Sequence, residues 1–209
     1  MHIQTLVVGP FQANCYLLEF PQSGNVLLID PGDEPEIIAA RLSSRKAEPT
    51  MALLTHGPLD HIAGLSGLIR HYHLPILLHS ADLALYQKLK EQGRWFGLTF
   101  SDPPAVTRCL EDGEEIVSDP IRLRVLHTPG HSPGGVCYHI PEEKLLFSGD
   151  TLFAGSIGRS DLEGGDEELL LSSIRQKILP LPDETRVFPG HGPETTVGRE
   201  RRNNPYLQD

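Results

Sequence analysis

The stretch Thr55-His56-Gly57-Pro58-Leu59-Asp60-His61 sets two imidazoles and a carboxylate within one short segment. Neutral imidazole and carboxylate are ligands suited to zinc, iron or manganese. His56 and His61 do not have the spacing of the helical HExxH pair, so the segment reads as a loop site. Further along, His131, Asp150 and His191 each directly follow a glycine: Gly130, Gly149 and Gly190. A missing side chain there lets the backbone turn sharply and approach an ion. Every one of these candidates lies just past an apolar run, where open sheets place their ligands. His56, Asp60, His61, His131, Asp150 and His191, repeated in one setting, point to a metal site. Asp30 also ends an apolar run and reads as a group that orients a loop rather than a ligand. His79 and His127 end strands and could steady ligands from behind. His2, His71, His73 and His139 read as ordinary surface or core residues. The chain shows no G-x-S-x-G and no cysteine beside a base, so a covalent nucleophile is not indicated.

These side chains need rigid supports. Alternating and continuous apolar runs predict strands over residues 2–8, 15–20, 26–29, 51–55, 75–78, 121–126, 135–140, 144–147 and 186–188. Pro35 suits the first turn of a helix, with Asp33 or Glu34 near its cap. Ile62, Leu65 and Leu68 predict one helix over about residues 59–70. Ser80 can cap a helix bearing Leu83, Tyr86 and Leu89, and Asp166 one bearing Leu170, Ile174 and Ile178. Residues 92–108 have no clear period; Trp95, Phe96 and Phe100 there fill a satellite core or form a lid. Residues 200–202 read as a solvated helix end.

The totals narrow the function. The chain has 209 residues, 39% of them hydrophobic, enough for a sizeable core and a single domain over 1–209. A net charge of −10 disfavours nucleic acid and anionic membrane surfaces as partners. No run approaches a bilayer-spanning length, and the start lacks a basic signal-peptide segment. Cys15, Cys109 and Cys137 are odd in number and widely spaced, which suggests neither a disulfide framework nor a zinc ribbon. Cys15 and Cys137 read as buried, inert thiols. A cytoplasmic protein is expected; oligomeric state is not legible.

Over nearly its whole length the chain resembles the metallo-β-lactamase superfamily, and within it the small glyoxalase II-like (hydroxyacylglutathione hydrolase-like) branch. The resemblance rests on Gly9-Pro10-Phe11-Gln12-Ala13-Asn14-Cys15-Tyr16, Leu28-Ile29-Asp30-Pro31-Gly32, Thr128-Pro129-Gly130-His131-Ser132-Pro133-Gly134, Phe147-Ser148-Gly149-Asp150-Thr151-Leu152-Phe153, Gly158-Arg159-Ser160-Asp161 and Pro189-Gly190-His191-Gly192. It implies an αββα four-layer sandwich, two mixed β-sheets flanked by helices. It implies one or two divalent ions, zinc first and iron or manganese as alternatives. One ion would take His56 and His131, the other Asp60, His61 and His191, with Asp150 bridging. Pro58 stands where the family has its usual second histidine, and proline offers no side-chain donor. Three states are open: water completing the first site, only the second site filled, or iron on His56, His131 and Asp150.

The implied activity is hydrolysis of a thioester, on a small or glutathione-derived substrate, by metal-activated water. Asp60 would hold a metal and orient the nucleophile, and Arg159 would hold a substrate carboxylate. The alternatives are a mononuclear iron persulfide dioxygenase-like enzyme and a metal-poor member acting as a binding protein.

Overall fold

The computed structural model describes residues 1–21, 23–118 and 121–208. They form two compact units, residues 1–78 with 82–109, and residues 79–81 with 110–209.

The first unit is built on a six-stranded sheet in the order β1-β2-β3-β4-β5-β6. Its strands are β1 His2–Val8, β2 Ala13–Phe20, β3 Asn25–Ile29, β4 Glu48–Leu53, β5 Ile76–His79 and β6 Arg108–Leu110. β1, β2 and β3 are antiparallel neighbours joined by short turns. β3, β4 and β5 run parallel, and a parallel return needs a crossover. α1 (Pro35–Arg45) supplies the first crossover; α2 (Leu59–Ile62) and α3 (Leu65–Leu68) supply the second. All eight residues of β2 are buried, so both faces of the sheet centre are covered. On one face Cys15, Leu17, Val26, Leu28, Ala52 and Leu54 meet Ile38, Leu42, Ile62, Leu65 and Leu68 from the helices.

The helix expected over about 59–70 is divided into α2 and α3. At the break, the Gly64 N–H donates to the carbonyls of Pro31 and Gly32, at 3.1 and 3.2 Å. A Cβ on Gly64 would stand 2.7 Å from the Pro31 oxygen, and one on Gly67 would stand 2.3 Å from the Pro35 ring. The crossover is thus clamped against the loop that follows β3. Apolar periodicity cannot register a backbone donor taken by a distant loop. α1 starts at Pro35 as expected, with Glu34 as its cap residue in a left-handed conformation (φ 49°). The Glu34 carboxylate accepts from the Gly9 N–H at 3.0 Å instead of capping. α4 (Leu83–Gln87) and α5 (Leu89–Trp95) follow β5 after a single tight turn, Ser80–Asp82.

The second unit carries a six-stranded sheet in the order β14-β13-β10-β9-β8-β7. Its strands are β7 Glu115–Ser118, β8 Ile121–His127, β9 Val136–Ile140, β10 Leu145–Gly149, β13 Arg186–Pro189 and β14 Thr195–Thr196; a small hairpin, β11 Leu152–Phe153 and β12 Ser156–Ile157, stands apart from it. Only β10 and β13 are parallel, and their crossover holds α6 (Glu167–Ser173). Asp166 caps α6 as expected, its Oδ1 accepting from the Leu169 N–H at 2.9 Å. The helix ends in a wide turn, Ile174–Ile178, where the Leu179 N–H reaches the Ile174 carbonyl. Leu126, Cys137, Leu146, Leu170, Ile174, Ile178, Val187 and Val197 form the core beneath it.

α7 (Val197–Asn203) departs from its expected solvated end at residue 200. Glu200 is 1% exposed. Its carboxylate accepts from Thr195 Oγ1, from the Gly155 N–H and from Asn204 Nδ2. A lone Glu between arginines carries no sequence mark of a partner 45 residues away. Among the described residues, no helix is long and apolar enough to cross a membrane.

Candidate metal centre

In the first unit, β3 and β4 end side by side, and their continuations carry the polar groups. Asp30, at φ 48°, turns its carboxylate toward Thr55. Oδ1 accepts from the Thr55 N–H at 2.7 Å; Oδ2 accepts from Thr55 Oγ1 at 2.6 Å and from His61 Nδ1 at 3.0 Å. A carboxylate only accepts, so Nδ1 of His61 carries the proton and Nε2 presents a lone pair. The same reasoning reaches His56. Thr55 Oγ1 has a single proton, directed at Asp30, so toward His56 Nδ1, 2.9 Å away, it acts as acceptor. His56 is therefore also a lone-pair donor through Nε2. One buried carboxylate sets both tautomers. Asp30, His56 and His61 offer ligand atoms within 4.8 Å of one another, and both Asp30 oxygens already accept hydrogen bonds. Asp30 holds the His61 ring directly and the His56 ring through Thr55.

Asp60 lies one residue before His61 in α2, and its Oδ2 is 3.7 Å from His61 Nε2. That is too long for a hydrogen bond. Two ligands at about 2.0–2.2 Å from one ion stand about 3.4 Å apart at the tetrahedral angle, and farther apart at wider angles. Pro58 caps α2 with an extended backbone (φ −62°, ψ 153°), and its carbonyl accepts from the His61 N–H at 3.1 Å. Two buried side chains beyond the motif hold this loop. Asp82 Oδ2 accepts from the Gly57 N–H at 2.8 Å, and Gln92 Oε1 accepts from the Leu59 N–H at 2.8 Å. Sequence reasoning missed both, because a polar residue in a short helix carries no sign of what its side chain reaches.

In the second unit, β10 and β13 are parallel neighbours, with Gly149 opposite Pro189. Asp150 and His191 follow these strand ends. The Gly190 N–H donates to the Gly149 carbonyl at 2.8 Å, which joins the two turns. Asp150 Oδ2 lies 3.6 Å from His191 Nε2 and 3.7 Å from His131 Nε2. Both again match the spacing of two ligands on one ion, with one carboxylate oxygen turned to two imidazoles. His131 Nδ1 donates to the Arg159 carbonyl at 2.7 Å, so its Nε2 is the lone-pair atom. Beneath the turns, Thr128 Oγ1 and Thr151 Oγ1 are 3.0 Å apart, and Cys137 Sγ donates to the Ser148 carbonyl. Gly130 (φ 134°) could not bear a Cβ, which would fall 2.3 Å from the Leu170 nitrogen of α6. Burial pushes the Cys137 thiol up to about 11 and that of Cys15 further still, consistent with inert thiols.

Arg159 contributes its carbonyl to His131. Its guanidinium is held by Asp161 in a bidentate pair, with both contacts at 2.8 Å. Hydrogen bonding from Arg159 holds the Asp161 carboxyl down at about 2. His79 and His127 stack at 4.0 Å, and His127 Nε2 donates to the Pro133 carbonyl in the His131 loop. Of the uncertain aromatics, Phe100 is partly buried against the core of its unit, whereas Trp95 and Phe96 are exposed.

The donors on each unit, imidazole Nε2 atoms with carboxylate oxygens at ligand–ligand spacing, fit a divalent cation. A family model for the metallo-β-lactamase superfamily matches residues 8–191. The chain belongs to the metallo-β-lactamase superfamily. Its mixed sheets with their helices are the α/β sandwich fold of that superfamily. A hydroxyacylglutathione hydrolase, GloC, from Haemophilus influenzae is 40% identical over 209 residues, spanning 99% of this chain and 98% of that protein. Among solved superfamily structures, the BLEG-1 B3 metallo-β-lactamase matches with a TM-score of 0.93 at 37% identity, covering all of both chains. TTHA1623 in a di-iron-bound form matches at 0.90 and 44% identity, covering 98% of this chain and all of that one.

Proposed function

We propose that this chain is a metal-dependent hydrolase of thioesters, a single domain over residues 1–209. The family resemblance assigns His56, His131 and Asp150 to one ion, and Asp60, His61, His191 and Asp150 to a second. The observation that carries this reading is the repeated geometry of Asp60–His61, Asp150–His131 and Asp150–His191, each pair 3.6–3.7 Å apart. A divalent cation, when bound, supplies a water acidic enough to yield hydroxide near neutral pH and a positive field for a developing oxyanion. Asp30 and Thr55 keep His61 and His56 in the tautomer that binds. Asp60, partly exposed, orients the attacking water. Arg159 receives a substrate carboxylate by exchanging it for that of Asp161. The water oxygen bonds to the acyl carbon, the thioester C–S bond breaks, and the thiol leaves with a proton from that water. The similarity to GloC supports a glutathione-derived substrate. Three free thiols, two of them buried, support a cytoplasmic location.

A second reading rests on Pro58. Without a side chain to offer at that position, the first site has two histidines and one carboxylate, the donor set of mononuclear iron oxygenases. The whole-length likeness to a hydrolase favours the first reading. One experiment separates them. Protein purified without chelator is analysed for metals, then given S-lactoylglutathione with added zinc, manganese or iron, and glutathione persulfide with an oxygen electrode. Thioester cleavage with a steady oxygen trace supports the hydrolase; the reverse supports the oxygenase. Protein without stoichiometric metal and without turnover would be the binding protein.

A further inference from the structure

Trp95 and Phe96 are 62% and 56% exposed, a large apolar surface for an acidic protein to leave open. They follow Gln92 by three and four residues and so share its side of α5. That side faces the metal loop, because buried Gln92 accepts from the Leu59 N–H at the start of α2. The end of α5 is rigid: Leu98 N–H returns to the Gly93 carbonyl, and Gly97, at φ 72°, turns the chain away. Phe96 meets Phe11 edge to face, with ring centroids 4.9 Å apart. Phe11 comes from the β1–β2 turn, which Glu34 ties to the loop after β3 through Gly9. That loop clamps the break between α2 and α3. Phe11 and Phe96 are thus fixed from two directions beside the helix that carries Asp60 and His61.

We infer that Phe11, Phe96 and Trp95 form the wall that binds the acyl part of the substrate, and that the preferred acyl group is apolar, aromatic or of medium chain length. The inference rests on the thioester hydrolase reading. Charge decides which end of the substrate lies here. Asp33 and Glu34 flank the same turn, and a Cβ on Gly9 would touch the Asp33 carboxylate. A thiol carrier bearing carboxylates is repelled there, whereas a neutral hydrocarbon group is not.

Calorimetry on metal-loaded protein with S-hexylglutathione and S-methylglutathione tests this without requiring turnover. The hexyl compound should bind at least about tenfold tighter, given the added methylenes it covers. Phe96→Ala should lower that ratio about tenfold with metal content unchanged, and Phe96→Leu should keep most of it. Val117→Ala, an exposed residue on β7, should leave the ratio as it is. Equal binding of the two compounds, binding of neither, or a ratio that survives Phe96→Ala would overturn the proposal. In parallel, hexanoyl and lactoyl thioesters of glutathione are offered as substrates. If neither is cleaved while the binding ratio depends on Phe96, the hydrolase reading fails and the apolar wall stands. If both are cleaved equally and the ratio is near one, the wall fails alone.

Discussion

The Asp30 carboxylate accepts the Nδ1 proton of His61 at 3.0 Å, and neither residue is more than 1% exposed. Through Thr55 the same carboxylate also fixes His56. Asp30→Asn keeps the shape and tolerates the left-handed backbone but removes the charge. Metal affinity should fall about 10–100-fold, the usual cost of losing such a partner. Thr55→Val should weaken binding in the same direction, and Thr55→Ser should restore it. Competition against a chromophoric chelator measures all three; unchanged affinity in Asp30→Asn would remove Asp30 from the role assigned here.

Pro58 caps α2 in an extended conformation open to any residue. Pro58→His should add an imidazole to the first proposed site and raise retained metal toward two ions per chain after dialysis. Elemental analysis reads the result. Equal stoichiometry in both proteins would show that residue 58 does not face an ion.

Glu200 gathers three donors, one of them from the distant β11–β12 turn, at almost complete burial. Glu200→Ala strands them and frees the turn of the β11–β12 hairpin, whose Phe153 lies 6.4 Å from the His191 ring. Stability should drop by about 1–3 kcal/mol, the cost of leaving buried polar groups unsatisfied. Urea titration should show a lower midpoint with an unchanged slope.

The thiols should divide sharply. Cys109 is exposed, while Cys15 and Cys137 are buried with their thiols pushed upward by desolvation. Alkylation at pH 8 needs a sulfur the reagent can reach, so iodoacetamide should modify native protein once per chain, at Cys109. Mass spectrometry of the digest identifies the site. Rapid labelling at Cys137 would mean that the core under Asp150 opens readily.

What the amino-acid sequence determined by itself was local. Apolar runs marked most strands of both sheets, Pro35 and Asp166 marked helix starts, and glycines each followed by a polar residue picked out His131, Asp150 and His191 as candidates. These signals work because a strand's burial and a turn's backbone demands act on adjacent residues. Asp30 was legible as an orienting group for the same reason, since it ends a buried run. The tertiary structure decided what depends on distant partners. It broke the helix after Ile62, because Gly64 donates to the loop after β3. It buried Glu200, recruited Asp82 and Gln92 to hold the loop around Pro58, and closed the Arg159 fork on Asp161. Hydrogen bonds between segments far apart in the chain leave no periodicity, so only the folded chain reveals which polar side chains meet.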